Sequence, residues 1–124
     1  MDKKTTIFVF GSNREGRHGK GVALEARKKW GAIYGQAEGL QGKSYAIITK
    51  ELRKDQPKVT VGQIRNGVDR FLIFADEHPD LTFKVTPIGC GLAGFTPNQI
   101  ALLFEFSPPN VILPDEFKFA LGRV

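Results

Sequence analysis

The chain has a single cysteine, no long apolar run and only a modest excess of positive charge. It contains 124 residues, of which one, Cys90, is a cysteine. An internal disulfide and a metal site built from several cysteines are therefore excluded. No run approaches the roughly 18 apolar residues of a membrane helix, and the N-terminal segment has no apolar signal region. These absences predict a cytoplasmic protein without membrane association, metal or cofactor.

The composition is that of an ordinary globular chain. Hydrophobic residues make up 41% and charged residues 25% of the sequence. A chain of this length forms one domain, so residues 1–124 are expected to fold as a unit. The net charge of +5 comes from 18 Lys and Arg against 13 Asp and Glu. That excess favours an anionic partner, although solubility alone explains it equally well.

Short apolar runs rich in β-branched and aromatic residues predict four strands. The first is Ile7–Phe10, which ends at Gly11. The second is Ser44–Thr49, the third is Leu81–Pro87, and a short fourth is Val111–Leu113. The first run is too short and too continuously apolar for an amphipathic helix, which indicates a buried strand.

Apolar residues at helical spacing predict three helices between these strands. The first spans about Gly21–Ile33. The second follows Thr60 as N-cap and ends near His78–Pro79, and the third begins with the cap signature Thr96–Pro97 and stops before Pro108–Pro109.

Two segments carry no clear periodicity. Residues 31–43 contain four glycines and are expected to form turns, whereas the structure of the tail, residues 115–124, is left open. Strands that alternate with helices predict an α/β fold with a mostly parallel sheet. Ligands bind such sheets beyond the carboxyl ends of the strands, where Lys50 and two glycine-rich loops are expected.

The first glycine-rich loop places Gly19, Lys20 and Gly21 at the start of a helix. Unpaired N–H groups there favour an anion, and glycine lets a phosphate approach the backbone. The alternative is that the glycines only form a turn. The spacing matches neither the Walker A motif nor the dinucleotide fingerprint, which weakens ATPase and dehydrogenase interpretations.

Several polar side chains near these loops have both a functional and a structural interpretation. Asn13 is a candidate for a ribose contact or for positioning a water, but asparagine is also common in turns. Lys50 is a candidate phosphate or catalytic group, and Arg17 and His18 are candidates for anion contact. Cys90 is better explained as a packed thiol than as a nucleophile.

Three sequence stretches resemble one known family. I-F-V-F-G-S-N (residues 7–13), followed by G-K-G-V-A-L-E-A (residues 19–26), is similar to the first binding motif of the macro domain. V-T-P-I-G-C-G-L-A-G-F (residues 85–95) resembles its diphosphate loop. S-Y-A-I-I-T-K (residues 44–50), together with I-G-C-G-L, is most similar to small glycohydrolases that remove ADP-ribose from acidic side chains.

The resemblance implies a three-layer α/β/α macro-like fold with a central, mostly parallel mixed sheet and a core over residues 6–114. It also implies an ADP-ribose cleft and a minimal protein without the leading strands of a full macro domain. Lys50 and Asn13 fall on catalytic positions, whereas Ala93 replaces the expected catalytic acid. The implied ligand-binding residues are Gly11, Ser12, Asn13, Gly19, Lys20, Gly21, Val22, Thr86, Gly89, Cys90, Gly91, Leu92, Ala93, Gly94 and Phe95.

The resemblance and the missing acid favour a module that binds or sequesters ADP-ribose or a related NAD-derived nucleotide, free or attached to a macromolecule. The alternative is an ADP-ribosyl glycohydrolase, or an ADP-ribose phosphate phosphatase, that uses Lys50 and Asn13. A nucleotide-monophosphate lyase and nucleic-acid binding by the basic surface are less favoured. The oligomeric state is left open.

Overall fold

A five-stranded mixed sheet forms the centre of the protein. The computed structural model describes residues 5–123, so residues 1–4 and 124 of the predicted domain lie outside the described part. The strand order is β2-β3-β1-β4-β5, in which only the β2–β3 pair is antiparallel. The strands are β1 (Thr5–Asn13), β2 (Gly39–Gln41), β3 (Ser44–Lys50), β4 (Leu81–Val85) and β5 (Val111–Ile112).

Four helices cover the sheet and complete three layers. They are α1 (Gly21–Lys29), α2 (Val61–Asp76), α3 (Pro97–Ala101), which continues as a 3₁₀ turn over Leu102–Phe104, and α4 (Asp115–Ala120). The predicted three-layer α/β class with a mostly parallel mixed sheet is confirmed.

The two faces of the sheet bury different amounts of apolar surface. Phe8 and Phe10 of β1 face α1 and pack with Ala26 in a small cluster. Ile7 and Val9 of the same strand belong to a much larger cluster that also contains residues of α2, α3 and α4. β1 is therefore buried on both sides, which explains why its sequence is a continuous apolar run.

The starts of α2 and α3 lie where the N-cap residues in the sequence predict them. At α2 the Thr60 side chain accepts a hydrogen bond from Gln63 N, and the Gln63 side chain accepts one from Thr60 N. Thr96 and Gln99 form the same capping box at α3. Both predicted N-caps are confirmed, and each box satisfies backbone donors that would otherwise be unpaired.

Several predicted strand boundaries are wrong, among them the start of β1, which lies at Thr5, and the end of β3, which lies at Lys50. β1 continues to Asn13 instead of ending at Gly11, because Gly11 and Ser12 still pair with β3. β4 ends at Val85 instead of Pro87, although both the N–H and the hydroxyl of Thr86 still donate to the Val9 carbonyl. The last strand is one residue shorter than predicted.

The glycine-rich connection after α1 contains structure that the sequence did not predict. α1 ends at Lys29 rather than near Ile33: Gly31 adopts a left-handed φ of +76°, and the Trp30 carbonyl accepts a hydrogen bond from Lys43 N at 2.8 Å. β2 then pairs with β3 as an edge strand of three residues. At the other end of the chain, the tail forms α4.

None of the helices described between residues 5 and 123 has both the length and the apolarity needed to cross a membrane.

Phe71 of α2 is expected to be a principal contributor to stability. It is fully buried, and its ring lies 5.0 Å from that of Tyr45 and 5.3 Å from that of Phe83. Phe71→Ala should lower the free energy of unfolding by about 3–5 kcal/mol, because the cavity cannot fully collapse. Equilibrium urea denaturation measures this loss. Ile73→Ala on the same helix, at a residue that is 60% exposed, is the control, with an expected change below about 0.5 kcal/mol. Equal losses in the two variants would contradict this assignment.

Candidate functional site

Three segments meet at the carboxyl end of β1. A bulge between Ser12 and Asn13 shifts the pairing with β3, so that Asn13 lies opposite Lys50. On the other side, a side chain on Gly11 would lie 3.5 Å from the Ile88 Cβ, in the loop after β4. The structure thus brings the first loop (residues 14–20), Lys50 and the second loop (residues 86–95) together at one edge of the sheet, as parallel strands predict.

Asn13 holds the first loop in shape. Its side-chain oxygen accepts a hydrogen bond from Arg17 N, and its amide group donates to Arg17 O, both at 2.9 Å. Gly16 has a φ of +69°, and a Cβ there would lie only 2.6 Å from the Gly35 carbonyl carbon. The structural role of Asn13 is therefore positioning, while its catalytic assignment stays a prediction.

His18 supports the loop from the inside. Its side chain is fully buried against the edge of the Phe10 ring. Nε2 lies 3.0 Å from Gln36 O and 3.1 Å from Gln41 Oε1, which also accepts from Ile33 N. Because both neighbours are acceptors, Nε2 carries the proton. His18 is thus not placed as a surface contact for an anion, in contrast to the exposed Arg17.

The hydroxyl groups of two predicted ligand-binding residues already donate hydrogen bonds to backbone carbonyls. The Ser12 hydroxyl donates to the Ala37 carbonyl, and the Thr86 hydroxyl donates to the Val9 carbonyl at 2.7 Å. Both hydrogen bonds fix the strand ends from which the loops depart. A ligand at this edge would therefore meet backbone groups and the ends of longer side chains rather than these hydroxyls.

The start of α1 differs from the starts of α2 and α3. Its N-cap is Lys20, whose side chain makes no capping hydrogen bond, whereas Thr60 and Thr96 each form a capping box. The amide groups of Gly21, Val22 and Ala23 have no acceptor among the described residues. These donors and the positive end of the helix dipole face solvent beside the first loop.

The second loop is tight at its base and open at its tip. Gly89 packs against the Ile100 side chain, and Phe95 N donates to the Gly89 carbonyl at 2.8 Å. A Cβ at Gly91 or Gly94 would meet nothing within 4 Å, and Leu92 is 80% exposed. The tip therefore presents bare backbone to solvent.

Cys90 lies in this loop as a half-buried thiol. Its Sγ donates to the Ile88 carbonyl at 3.5 Å. Burial, followed by the nearby Glu116 carboxylate, raises the pKa of the Cys90 thiol. The thiol is thus kept protonated, which fits a packed residue rather than a nucleophile.

A network of ion pairs around Glu51 joins the first loop to the loop after β3. The Glu51 side chain is 1% exposed, and its Oε1 lies 2.9 Å from Arg53 Nη2 and 3.1 Å from Arg14 Nη1. Hydrogen bonds from the Arg53 side chain and N–H, with a smaller contribution from Arg14, lower the pKa of Glu51 to about 2. Sequence reasoning missed this network, although an acid directly after Lys50 was a visible signal.

Two surface clefts lie outside the space between the two glycine loops, although Arg14 of the first loop lines one of them. One, of about 210 Å³, lies between α2 and β3 and is lined by Arg14, Gln63 and Arg70 among others. The other, of about 350 Å³, runs along β5 and is lined by residues including Ile112 and Arg123. No group of three or more potential metal-ligating side chains occurs among residues 5–123.

Comparison with known proteins identifies the fold but no family. The chain matches no family model, and it matches no curated protein. Two solved structures from Bacteroides thetaiotaomicron, one described as a protein of unknown function, resemble it with TM-scores of 0.61 and 0.59. Both are 20% identical, cover 85% of this chain, and are themselves covered to 81% and 82%. Similarity at this level shows the fold alone.

Glu51 is expected to make stability depend on pH. Because its folded-state pKa, about 2, lies below the ordinary value of 4.5, the carboxylate contributes fully above about pH 5 and loses its contribution as the pH falls toward 2. Glu51→Gln should therefore be less stable than the wild type at pH 7, and the difference should shrink in this window. Urea denaturation at a series of pH values measures it, with Glu25→Gln on the exposed face of α1 as control. Wild-type and Glu51→Gln curves that stay parallel would contradict the prediction.

Proposed function

We propose that the protein binds ADP-ribose or a related NAD-derived nucleotide at the carboxyl ends of β1, β3 and β4. In this proposal it acts as a reader or sequestering module, with the diphosphate held between the two glycine loops. The resemblance of residues 7–26 and 85–95 to macro-domain motifs supports the choice of ligand. The structural similarity to the Bacteroides proteins supports only the fold.

The uncapped start of α1 is the observation that carries the proposal. The capping boxes of α2 and α3 pair the N–H of the third helical residue, which leaves two unpaired donors at α2 and one at α3, whereas α1 leaves three N–H donors unpaired among the described residues. A diphosphate satisfies such donors and interacts favourably with the helix dipole, by roughly 0.3–1 kcal/mol for each charge.

The glycines of both loops fit the same interpretation. Gly19 has neither a left-handed φ nor any neighbour within 4 Å of an added Cβ, and the same holds for Gly91. Neither the backbone conformation nor internal packing therefore requires glycine at these two positions. A ligand that touches the backbone from outside gives a reason for it.

The lack of a free carboxylate at the position where catalysis would need one favours a binding role. Ala93 occupies the position where the similar glycohydrolases carry an acid, and Glu51 is neutralised by Arg14 and Arg53. General acid–base chemistry needs a carboxyl group or an equivalent within hydrogen-bond reach of the reacting atoms. The proposed site has no such group at the expected position.

Gly19→Asp is the sharpest test of ligand binding. The new carboxylate should repel a diphosphate at the start of α1 and weaken binding at least tenfold, or about 1.4 kcal/mol. It should leave stability unchanged or slightly raised, because an acid near a helix N-terminus is favourable. Calorimetric titration with ADP-ribose, its cyclic variants and NAD measures the affinities.

Gly62→Asp provides a matched control at the start of α2. Like Gly19, Gly62 has no left-handed φ, and an added Cβ would have only Thr60 Oγ1 within 4 Å. The backbone therefore accepts a side chain there, and the substitution adds the same charge to a helix that has a capping box. It should leave the affinity for these nucleotides unchanged.

For the wild type, ligand at 100 times its Kd should stabilise the fold by about 2.7 kcal/mol. The proposal would be refuted if millimolar ADP-ribose, its cyclic variants and NAD all left the wild-type melting curve unchanged.

The enzyme alternative rests on Lys50. Its ammonium group makes no ion pair within 4 Å among residues 5–123, and it lies opposite Asn13 at the end of β3. In this alternative Lys50→Ala lowers the release of ADP-ribose from a modified protein by at least about 100-fold. A radiolabel-release assay measures it, with Lys43→Ala as the control at an exposed lysine. Release that survives Lys50→Ala would exclude the lysine mechanism, and a wild type without release supports the binding role.

A further inference from the structure

Positive charge is concentrated in one part of the fold. Residues 1–54 carry twelve Lys and Arg and five Asp and Glu, whereas residues 55–124 carry six and eight. The first part contains α1, which alone covers one face of the sheet, and the second contains α2, α3 and α4. The small net charge of the chain therefore hides a basic N-terminal part and a slightly acidic C-terminal part.

Four exposed cations form what we call the basic face, at the carboxyl end of α1. Arg27, Lys28 and Lys29 occupy the last turn of the helix. Lys43 lies beside them, because its N–H donates to the carbonyl of Trp30, the C-cap residue of α1. None of the four makes an ion pair within 4 Å among residues 5–123, although Glu25 stands one turn before Lys29.

The helix dipole does not account for this concentration of charge. Cations near a helix C-terminus are favourable, but the macrodipole supplies only about half a negative charge there. Four positive groups therefore leave a strong local excess. The opposite end of α1, where the nucleotide is proposed to bind, is about 13 Å away for a nine-residue helix.

An exposed aromatic ring borders the basic face. Tyr34 is 56% exposed, and the Arg27 guanidinium carbon lies 5.4 Å from the centre of its ring. Proteins bind single-stranded nucleic acid with two elements: cations that contact the phosphate backbone and aromatic rings on which bases stack. The basic face and Tyr34 provide both.

A membrane surface fits α1 less well. An interfacial helix needs a continuous apolar face directed outward. In α1 the small apolar residues Ala23 and Ala26 pack against the sheet, together with Trp30 just after the helix, whose ring stacks on Phe8 at 5.1 Å. The outward positions at its carboxyl end are charged.

We propose that the basic face binds single-stranded nucleic acid, with Arg27, Lys28, Lys29 and Lys43 contacting phosphates and Tyr34 stacking on a base. This activity is separate from the proposed nucleotide site. It is independent of base sequence, since the exposed groups recognise the backbone and the face of any base.

Fluorescence anisotropy with a labelled 12-nucleotide single strand of mixed sequence tests the proposal. Affinity should fall as salt rises from 50 to 200 mM, with a log–log slope of about −2 to −3, as expected when about four phosphates are neutralised. Lys28→Glu/Lys29→Glu should weaken binding at least tenfold at 50 mM salt. Lys28→Gln/Lys29→Gln should also weaken it, and it avoids placing acids at the helix end.

Lys58→Glu/Arg65→Glu is the matched control, because it makes the same change in net charge at exposed residues of the other layer. It should weaken binding less than threefold. Tyr34→Ala should weaken single-strand binding more than binding to a duplex of the same sequence. Thermal melting of each variant verifies that it is folded.

Three outcomes would overturn the proposal: equal losses in the Lys28/Lys29 and Lys58/Arg65 glutamate variants, an affinity without salt dependence, or tighter binding to phosphatidylserine vesicles than to the oligonucleotide. The nucleotide site is tested separately. ADP-ribose affinity should be unchanged in Lys28→Gln/Lys29→Gln, and oligonucleotide affinity should be nearly unchanged in Gly19→Asp, since about 13 Å exceeds the screening length at 0.1 M salt.

Discussion

Burial of β1 on both faces is the constraint on which the rest of the structure depends. Phe8 and Phe10 pack toward α1 while Ile7 and Val9 pack toward the larger core, so the strand has no solvent-facing side. Polar chemistry is excluded along most of its length, because an unpaired polar group there would lose its hydration without compensation. Apart from Thr5 and Thr6 at its start, the strand is polar only at Ser12 and Asn13, at its carboxyl end.

The polar groups at that edge mainly support one another. Asn13 holds the Arg17 backbone, His18 holds Gln36 and Gln41, and Glu51 joins Arg14 to Arg53. Each interaction is made inside the fold, so together they fix the shape of the first loop without a ligand. A loop held in advance loses less conformational entropy on binding, which is the physical advantage of a site built in this way.

α1 combines two features. Its first turn, like that of α4, has no side-chain cap, while α2 and α3 have capping boxes. Its last turn carries three of the four cations of the basic face. One helix thus presents unpaired amide donors at one end and unpaired cations at the other. Both ends favour phosphates, but the first suits a compact diphosphate and the second an extended backbone.

The sequence by itself determined the elements whose signals are local. The apolar run Ile7–Phe10, the stripe of α2 and the caps at Thr60 and Thr96 predicted the alternation of strands and helices, and so the mostly parallel sheet. Local signals sufficed because periodicity and capping depend on neighbours within four residues. They also placed Lys50 and both glycine loops at one edge, because parallel strands end together.

Only the tertiary structure decided how those residues are used. The three-residue strand β2 and the extension of β1 to Asn13 depend on pairing with β3, which is distant in sequence. His18 became a buried support because Gln36 and Gln41 lie beneath it, and Glu51 was neutralised by arginines from two loops. Burial and charge pairing are set by residues far apart in the chain, so no local pattern encodes them.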